Sequence, residues 1–199
     1  MVLSVPAPAT KTHSAEEYLA LETQSDIRNE FRNGEIVPIA GGTPAHNKIS
    51  SAFNALLWIS LRKKPFSVFV TDQRLWIPDV GMYTYPDVMV VKEPIALQAG
   101  RKDTVINPIL IAETLSDSTQ TYDRGDKFAH YRTIDTFQEY VLIEQHRPRI
   151  EHYIKKSDTQ WLLTEYAGLG NSFKLQSVGI EIELSDLYED IDFNGQKDD

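Results

Sequence analysis

The 199-residue sequence has no cysteine, which excludes disulfide bonds and metal sites built on thiolates. Any metal ion would need oxygen or imidazole ligands, and this requirement favours Mg²⁺ or Mn²⁺ as the cofactor. The sequence also lacks an apolar run near the roughly 20 residues that cross a bilayer. Residues 1–12 lack the apolar core and cleavage site of a signal peptide, so we expect a cytoplasmic protein with no membrane partner.

Positive charge is scarce as well, because 20 Lys and Arg residues stand against 29 Asp and Glu, a net charge of −9. Affinity for nucleic acid comes mainly from clustered cations, so this balance argues against a nucleic-acid-binding protein. The charges are unevenly distributed, however, with many acids in residues 181–199 and a compact basic run at Arg62, Lys63 and Lys64. That run is either a surface for an anionic partner or the solvated end of a helix.

The length and composition indicate one globular domain. A chain of 199 residues with 41% hydrophobic residues can bury a core without covalent cross-links. We predict a single domain over residues 14–190. Residues 1–13 are expected to form a flexible N-terminal tail, and residues 191–199 an acidic C-terminal tail.

Local patterns predict an α/β fold in which helices and strands alternate. A capping-box pattern at Ser14 and Glu17 predicts a helix over residues 16–21, and Asn33-Gly34 predicts a hairpin. Helical spacing of apolar residues predicts helices over residues 46–61 and 121–132, and residues 178–188 suggest a strand followed by a helical turn. Further strands are predicted at residues 66–70, 73–77, 85–91, 108–114, 139–144 and 149–154.

Two acidic residues stand at or near the ends of apolar strands. Asp87 lies in the 85–91 segment, and Glu113 lies inside the run Ile-Leu-Ile-Ala-Glu-Thr-Leu. A carboxylate buried there without a partner would cost several kcal/mol, so Glu113 needs compensation. If the two strands are neighbours, the two carboxylates can hold a hard divalent cation. Asp87 alone has a simpler explanation, because Pro-Asp at a strand start is often a turn or a cap.

Lys127 adds a positive group suited to an electrostatic role beside a phosphate or an attacking hydroxide. Asp123, Lys127 and Tyr131 are spaced i, i+4 and i+8, so they share one face of the predicted helix. A purely structural role is the alternative. An Asp–Lys pair at this spacing is common on helix surfaces and contributes only about 0.2–0.5 kcal/mol.

Three more polar residues are candidates for the site. His46, at the start of the long helix, could donate a hydrogen bond to a substrate or could bond only to nearby backbone. Glu30 and Glu35 flank the hairpin turn, and either could supply a third acid or remain an exposed carboxylate.

Five motifs occur in a characteristic order along the chain. They are Glu30-Phe-Arg-Asn-Gly-Glu-Ile-Val, Gly41-Gly-Thr-Pro-Ala-His46-Asn, Tyr85-Pro-Asp-Val, Ala112-Glu-Thr-Leu-Ser-Asp-Ser-Thr, and Tyr122-Asp-Arg-Gly-Asp-Lys127-Phe followed by Tyr131. Together they resemble the Uma2 family over residues from about 14 to 188. That family belongs to the PD-(D/E)xK superfamily, so the resemblance implies a restriction-endonuclease-like fold with a central mixed β-sheet flanked by helices.

The resemblance also implies roles for individual residues. Asp87 and Glu113 match the two metal-binding acids, and Lys127 matches the catalytic lysine. In the wider superfamily the lysine lies two residues after the second acid, where this chain has Leu115. Lys127 therefore has to reach the site from the following helix, a pattern found in the Uma2 family, and Asp123 or Tyr131 would orient it.

The leading hypothesis is a Mg²⁺- or Mn²⁺-dependent endonuclease that hydrolyses DNA phosphodiester bonds. The alternative is a catalytically silent module on the same fold that binds nucleic acid or protein, which the negative net charge favours. Metal binding would separate the two. A third hypothesis, an assembly of packed copies, is compatible with either, and we expect a homodimer because nucleases of this fold often cut two strands as dimers.

Overall fold

The structure, a computed structural model, describes residues 12–193. The helices are α1 (Ala15–Glu22), α2 (Pro44–Leu61), α3 (Gln120–Tyr122), α4 (Phe128–Tyr131) and α5 (Leu184–Leu187), with a π-helical turn at Asp123–Lys127 and a 3₁₀ turn at Pro78–Val80. The strands are β1 (Asn29–Arg32), β2 (Glu35–Pro38), β3 (Phe66–Val70), β4 (Arg74–Ile77), β5 (Met82–Thr84), β6 (Val88–Lys92), β7 (Thr104–Val105), β8 (Pro108–Leu115), β9 (Glu139–Glu144), β10 (Arg149–Ser157), β11 (Gln160–Ala167), β12 (Ser172–Leu175) and β13 (Ile180–Glu183). Among the described residues, no helix is long and apolar enough to cross a membrane.

A six-stranded mixed sheet lies at the centre, in the order β11-β10-β9-β8-β6-β3. Strands β8 and β9 are parallel, and the other neighbouring pairs are antiparallel. This arrangement confirms the predicted α/β fold with a central mixed sheet. Because β6 and β8 are neighbours and Val88 pairs with Ala112, the adjacent residues Asp87 and Glu113 lie at the same end of the sheet.

The two faces of the sheet are covered by different elements. Helix α2 packs on one face through a buried stripe, and Ala112 of β8 points to this side. Ile111 and Leu115 belong to the core on the other face, with Phe128 and Tyr131 of α4. Since side chains alternate along a strand, Glu113 shares the side of Ile111 and Leu115. It therefore faces the segment of residues 120–131, which we call the site helix.

A second, five-stranded sheet has the order β2-β1-β5-β4-β7. It is joined to α1 by a small aromatic core, in which the rings of Tyr18, Phe31 and Tyr83 lie within 5.2–6.2 Å of one another. Side chains alternate along β1, so Glu30 points away from Phe31 and toward the site helix. The hairpin β12-β13 and helix α5 complete the core on the α2 side of the central sheet.

Several sequence predictions are confirmed, and others need correction. The capping box of α1 is present, with Ser14 and Glu17 bonded to each other's backbone N–H groups. The strand predicted from residue 85 begins only at Val88, because Pro86 has no N–H to donate to a neighbouring strand. The sequence patterns do not predict strands β5, β7, β11 and β12. The α-helix predicted over residues 121–132 is wrong in its middle, where the chain forms a π-helical turn.

Most of the predicted tails fall in residues 1–11 and 194–199, outside the described part of the chain. At the N-terminal border, His13 donates its backbone N–H to the Gly34 carbonyl at 2.8 Å. At the C-terminal border, Ile191 and Phe193 pack against the core on the α2 side.

Candidate functional site

Lys127 is buried in a cluster of carboxylates. Its Nζ lies 2.8 Å from Glu113 Oε1, 3.3 Å from Asp123 Oδ1 and 3.9 Å from Glu30 Oε1. Tyr131 donates its hydroxyl to the same oxygen of Glu113 at 2.7 Å. The structure thus brings the second acid, the lysine and both candidate orienting residues into direct contact.

The π-helical turn at Asp123–Lys127 positions the lysine. A π-helical turn is wider than an α-helical turn and is often found at functional sites. Here it is fastened to the central sheet, since Arg124 forms 2.8 Å ion pairs with Glu144 and Glu151, and Tyr140 donates its hydroxyl to the Asp123 carbonyl at 3.1 Å. The turn and its anchors hold Lys127 over the end of β8.

Asp87 is tied to the strand that carries Glu113. Its Oδ2 accepts the Thr114 N–H at 2.8 Å, and its own N–H points to Glu113 Oε2 at 3.3 Å. His46 Nε2 lies 3.1 Å from the same Asp87 oxygen. The two carboxylates are therefore neighbours, and Asp87 is held from two sides by β8 and by α2.

His46 reaches Asp87 from the first turn of α2. The hydroxyl of Thr43 caps this helix by accepting the His46 N–H at 3.1 Å. A Cβ at Gly42 would lie only 2.6 Å from His46 Nδ1, so this packing needs glycine. Burial lowers the pKa of His46, but its hydrogen bond and attraction to Asp87 outweigh this and leave the pKa raised.

The hairpin contributes Glu30 rather than Glu35. Glu30 is buried, accepts the hydroxyl hydrogen of Thr84 and pairs with Arg32. Glu35 is exposed at the start of β2. Thr84 and Arg32 were not among the predicted residues, although strand alternation alone would place Arg32 on the same side as Glu30.

Comparison with known families agrees with the geometry. The sequence model of the Uma2 family, described as "Putative restriction endonuclease", matches residues 15–185. This chain belongs to the Uma2 family.

Relatives of this Uma2 protein occur in a cyanobacterium. It is 45% identical over 159 residues to the uncharacterized protein sll1609 of Synechocystis, covering 80% of this chain and 90% of the relative. It is 30% identical to the uncharacterized protein slr1290 of the same organism, over 97% of this chain and 100% of that one. A crystal structure from Anabaena variabilis, described as a "putative nuclease belonging to DUF820", superposes with a TM-score of 0.72 over 88% of this chain and 97% of its own, at 17% identity. At that identity the likeness shows a shared fold.

The site of the Uma2 protein carries an excess of negative charge. Its four carboxylates, Glu30, Asp87, Glu113 and Asp123, are accompanied by two permanent cations, Arg32 and Lys127. Burial, together with the nearby carboxylates, raises the pKa of Glu113 to about 8 despite the attraction of Lys127. Burial also lowers the pKa of Lys127, but attraction to the carboxylates outweighs it and leaves that pKa well above its ordinary value, so Lys127 is protonated.

The donor chemistry of Asp87 and Glu113 fits a hard divalent cation. The short hydrogen bonds engage Asp87 Oδ2 and Glu113 Oε1, which leaves Asp87 Oδ1 and the weakly bonded Glu113 Oε2 for a ligand. Within residues 12–193, no group of three or more His, Asp or Glu side chains is arranged to hold a metal ion. Two carboxylates suffice for Mg²⁺, which keeps several waters and takes further oxygens from substrate phosphates.

Proposed function

We propose that this Uma2 protein is a Mg²⁺- or Mn²⁺-dependent endonuclease that hydrolyses DNA phosphodiester bonds. The observation that carries the proposal is the meeting of Asp87, Glu113 and Lys127, from three separate elements, at one end of the central sheet. The description of the family and that of the Anabaena structure support the same class of activity.

In this proposal Asp87 and Glu113 hold the cation. When bound, the cation offsets charge on the scissile phosphate and lowers the pKa of the attacking water. The protein's own part is to fix the two carboxylates in place. Thr114 and His46 hold Asp87, and Tyr131 holds Glu113, so neither acid has to reorganise when a substrate arrives.

Lys127 supplies positive charge where the phosphate gains negative charge. Its ammonium is held by Glu113, with Asp123 and Glu30 at longer range, so its position is set before a substrate binds. Preorganised charge in a buried site stabilises a transition state more strongly than the same charge in water. Asp123 and Glu30 are positioning residues, since they act through Lys127.

The proposed substrate is duplex DNA, and the proposed working form is a homodimer. Each chain carries one cluster of Asp87, Glu113 and Lys127, which accounts for one strand cut. Two copies would supply the two sites needed to cut both strands of a duplex.

The experiment is calorimetric titration of Mg²⁺ and Mn²⁺ into the wild type and Asp87→Ala, followed by plasmid cleavage with the same proteins. We expect the wild type to bind and cut, and Asp87→Ala to lose metal binding and about a thousandfold in cleavage rate, because several kcal/mol of charge stabilisation disappear. Asp79→Ala, which removes an exposed acid from the 3₁₀ turn, is the matched control and should behave as the wild type.

Two outcomes would count against the proposal. Full cleavage by Asp87→Ala would show that the reaction occurs elsewhere. A folded wild type that neither binds the ions nor cuts DNA would favour the catalytically silent module, which the net charge of −9 favours as well.

A further inference from the structure

One long segment of this acidic protein contains no acid at all. Asp and Glu make up about one residue in seven of the chain, yet none occurs in residues 36–71, between Glu35 and Asp72. The same segment holds Lys48 and the basic run Arg62, Lys63 and Lys64. This segment contains helix α2 and strand β3, so its four Lys and Arg residues all lie on α2 or in the connection from α2 to β3.

The exposed side of α2 continues into the basic run. Ser51, Ala55, Trp58 and Arg62 are all exposed and are spaced by four, three and four residues, so they share one face of the helix. The opposite face is the buried stripe that packs on the central sheet. We call the four exposed residues, together with Lys63 and Lys64, the α2 outer face.

The side chains of the α2 outer face are available to a partner. Trp58 is 55% exposed, and the guanidinium of Arg62 lies 5.1 Å from its ring centre. A groove of about 390 Å³ runs between Trp58, the basic run and β3. Within residues 12–193, none of the three cations of the run forms an ion pair. Elsewhere in the fold, arginines such as Arg74 and Arg124 do form ion pairs with carboxylates.

We propose that the α2 outer face is a docking surface for the phosphate backbone of duplex DNA. This inference rests on the proposed function and names the surface that brings the substrate to an acidic protein. Exposed charges farther apart than about 8 Å are screened at physiological salt, so the local charge of a face decides whether a polyanion can approach it. Three cations that form no ion pair within the described residues give phosphate groups a favourable contact despite the net charge of −9, even with Glu93 bonded to Ser67 on the adjoining strand β3.

The position of the α2 outer face predicts a minimum length for a DNA duplex that contacts both this face and the site. His46, which contacts Asp87, and Arg62 are 16 residues apart on α2, which corresponds to about 24 Å at 1.5 Å per residue. This is the distance along the helix axis alone, and the α2 outer face is turned away from the sheet, so a duplex that reaches from the site to the basic run must extend at least about seven base pairs beyond the site. The face does not include Lys48, because that side chain donates to the Asp190 carbonyl beside the acidic segment after α5.

The first test is the salt dependence of DNA binding in EDTA, which prevents cleavage. A labelled 20-base-pair duplex is titrated with wild type and with Arg62→Gln/Lys63→Gln/Lys64→Gln. We expect the triple variant to bind at least about tenfold more weakly at low salt. We also expect the slope of log K against log salt to fall by about 0.9 for each lost phosphate contact, up to about 2.7.

The matched control removes the same charge elsewhere. Lys102→Gln/Lys156→Gln/Lys174→Gln changes three exposed lysines outside the acid-free segment, and it should keep the wild-type slope. Equal slopes in the two triple variants would overturn the inference, because net charge alone would then explain the effect. A basic-run variant with altered oligomeric state and unchanged DNA affinity would also overturn it, since the face would then be a protein interface.

Trp58 gives a second, local readout. The other two tryptophans, Trp76 and Trp161, are only partly exposed, so quenching by DNA should come mainly from Trp58 and should disappear in Trp58→Phe. A 20-base-pair duplex should quench at lower concentrations than a 6-base-pair duplex, because the shorter duplex offers fewer phosphates and cannot reach both the face and the site. If DNA binding shows the change in salt slope and the quenching of Trp58 but no cleavage follows, this inference stands and the nuclease proposal fails. If DNA is cleaved without the slope change and the quenching, the nuclease proposal stands and this inference fails.

Discussion

Two buried glutamates on neighbouring strands of the central sheet have opposite surroundings. Glu139, on β9, accepts hydrogen bonds from His152 Nε2 at 2.6 Å, from the N–H groups of Gln176 and Ser177 at 2.8 and 2.9 Å, and from the Ser177 hydroxyl. Glu113, on β8, contacts Lys127 and Tyr131, but other carboxylates lie close by. The first is surrounded by donors, and the second competes with other acids for positive charge.

The pKa values follow this difference. Burial raises the pKa of Glu139, but the hydrogen bonds from His152 and Ser177 outweigh it and leave the pKa below its ordinary value. Burial raises the pKa of Glu113, Lys127 lowers it, and the nearby Asp87 and Asp123 add to the effect of burial and leave the pKa raised. A buried carboxylate with a full set of donors is a structural element. A buried carboxylate whose one cationic partner, Lys127, is shared with Asp123 and Glu30 is where a further cation would be expected to bind.

The largest effect on stability should come from removing the structural glutamate. Glu139→Ala leaves His152 and the turn at Ser177 without their acceptor, so we expect a loss of about 3–5 kcal/mol in the free energy of unfolding. Glu113→Gln keeps an acceptor for Tyr131 and relieves charge crowding, so its stability should stay within about 1 kcal/mol of the wild type. Urea unfolding of both variants without metal measures the two changes in the free energy of unfolding. Similar losses in Glu139→Ala and Glu113→Gln would refute the contrast between the two glutamates.

An intermediate effect should come from uncoupling the lysine from the acids. Lys127→Met leaves Glu30, Glu113 and Asp123 without their shared cation, and we expect a loss of about 3 kcal/mol. Adding Glu113→Gln should restore about 1–2 kcal/mol, because contacting residues couple by about 0.5–3 kcal/mol. Urea unfolding of both single variants and the double variant measures this coupling. Strict additivity would mean that Lys127 does not compensate Glu113.

The smallest effect should be that of Ser177→Ala, which removes one donor from Glu139 and should cost about 1 kcal/mol near neutral pH. Because the pKa of Glu139 is lowered in the folded protein, its stabilising contribution is present above the ordinary pKa of 4.5 and is lost as the pH falls through the folded value. The difference between wild type and Ser177→Ala should therefore shrink as the pH falls below 4.5. Urea unfolding from about pH 7 to about pH 3.5 measures it, and a constant difference would contradict this assignment.

Local patterns identified some residues of the site and missed others. Glu113 could be found because a charge inside an apolar run is costly and therefore conspicuous. Glu139 is equally buried but stands at the first position of its strand, where a charge is unremarkable. Three of its four donors come from a turn nearly 40 residues away. The hairpin pattern could not separate Glu30 from Glu35, since it does not show which side of the hairpin is covered.

The sequence by itself determined the order of most elements, the α/β class and the oxygen-rich nature of the site, because these depend on local periodicity and residue type. Membership of the Uma2 family follows from it too, through ordered motifs. Only the tertiary structure decided that Lys127 reaches Glu113 through a π-helical turn and that Glu30 joins the cluster. It also decided that Glu139 is surrounded by donors while Glu113 shares its one cation with other acids. These properties depend on distances between remote segments, and a buried charge is stabilised or destabilised by the neighbours that folding places around it.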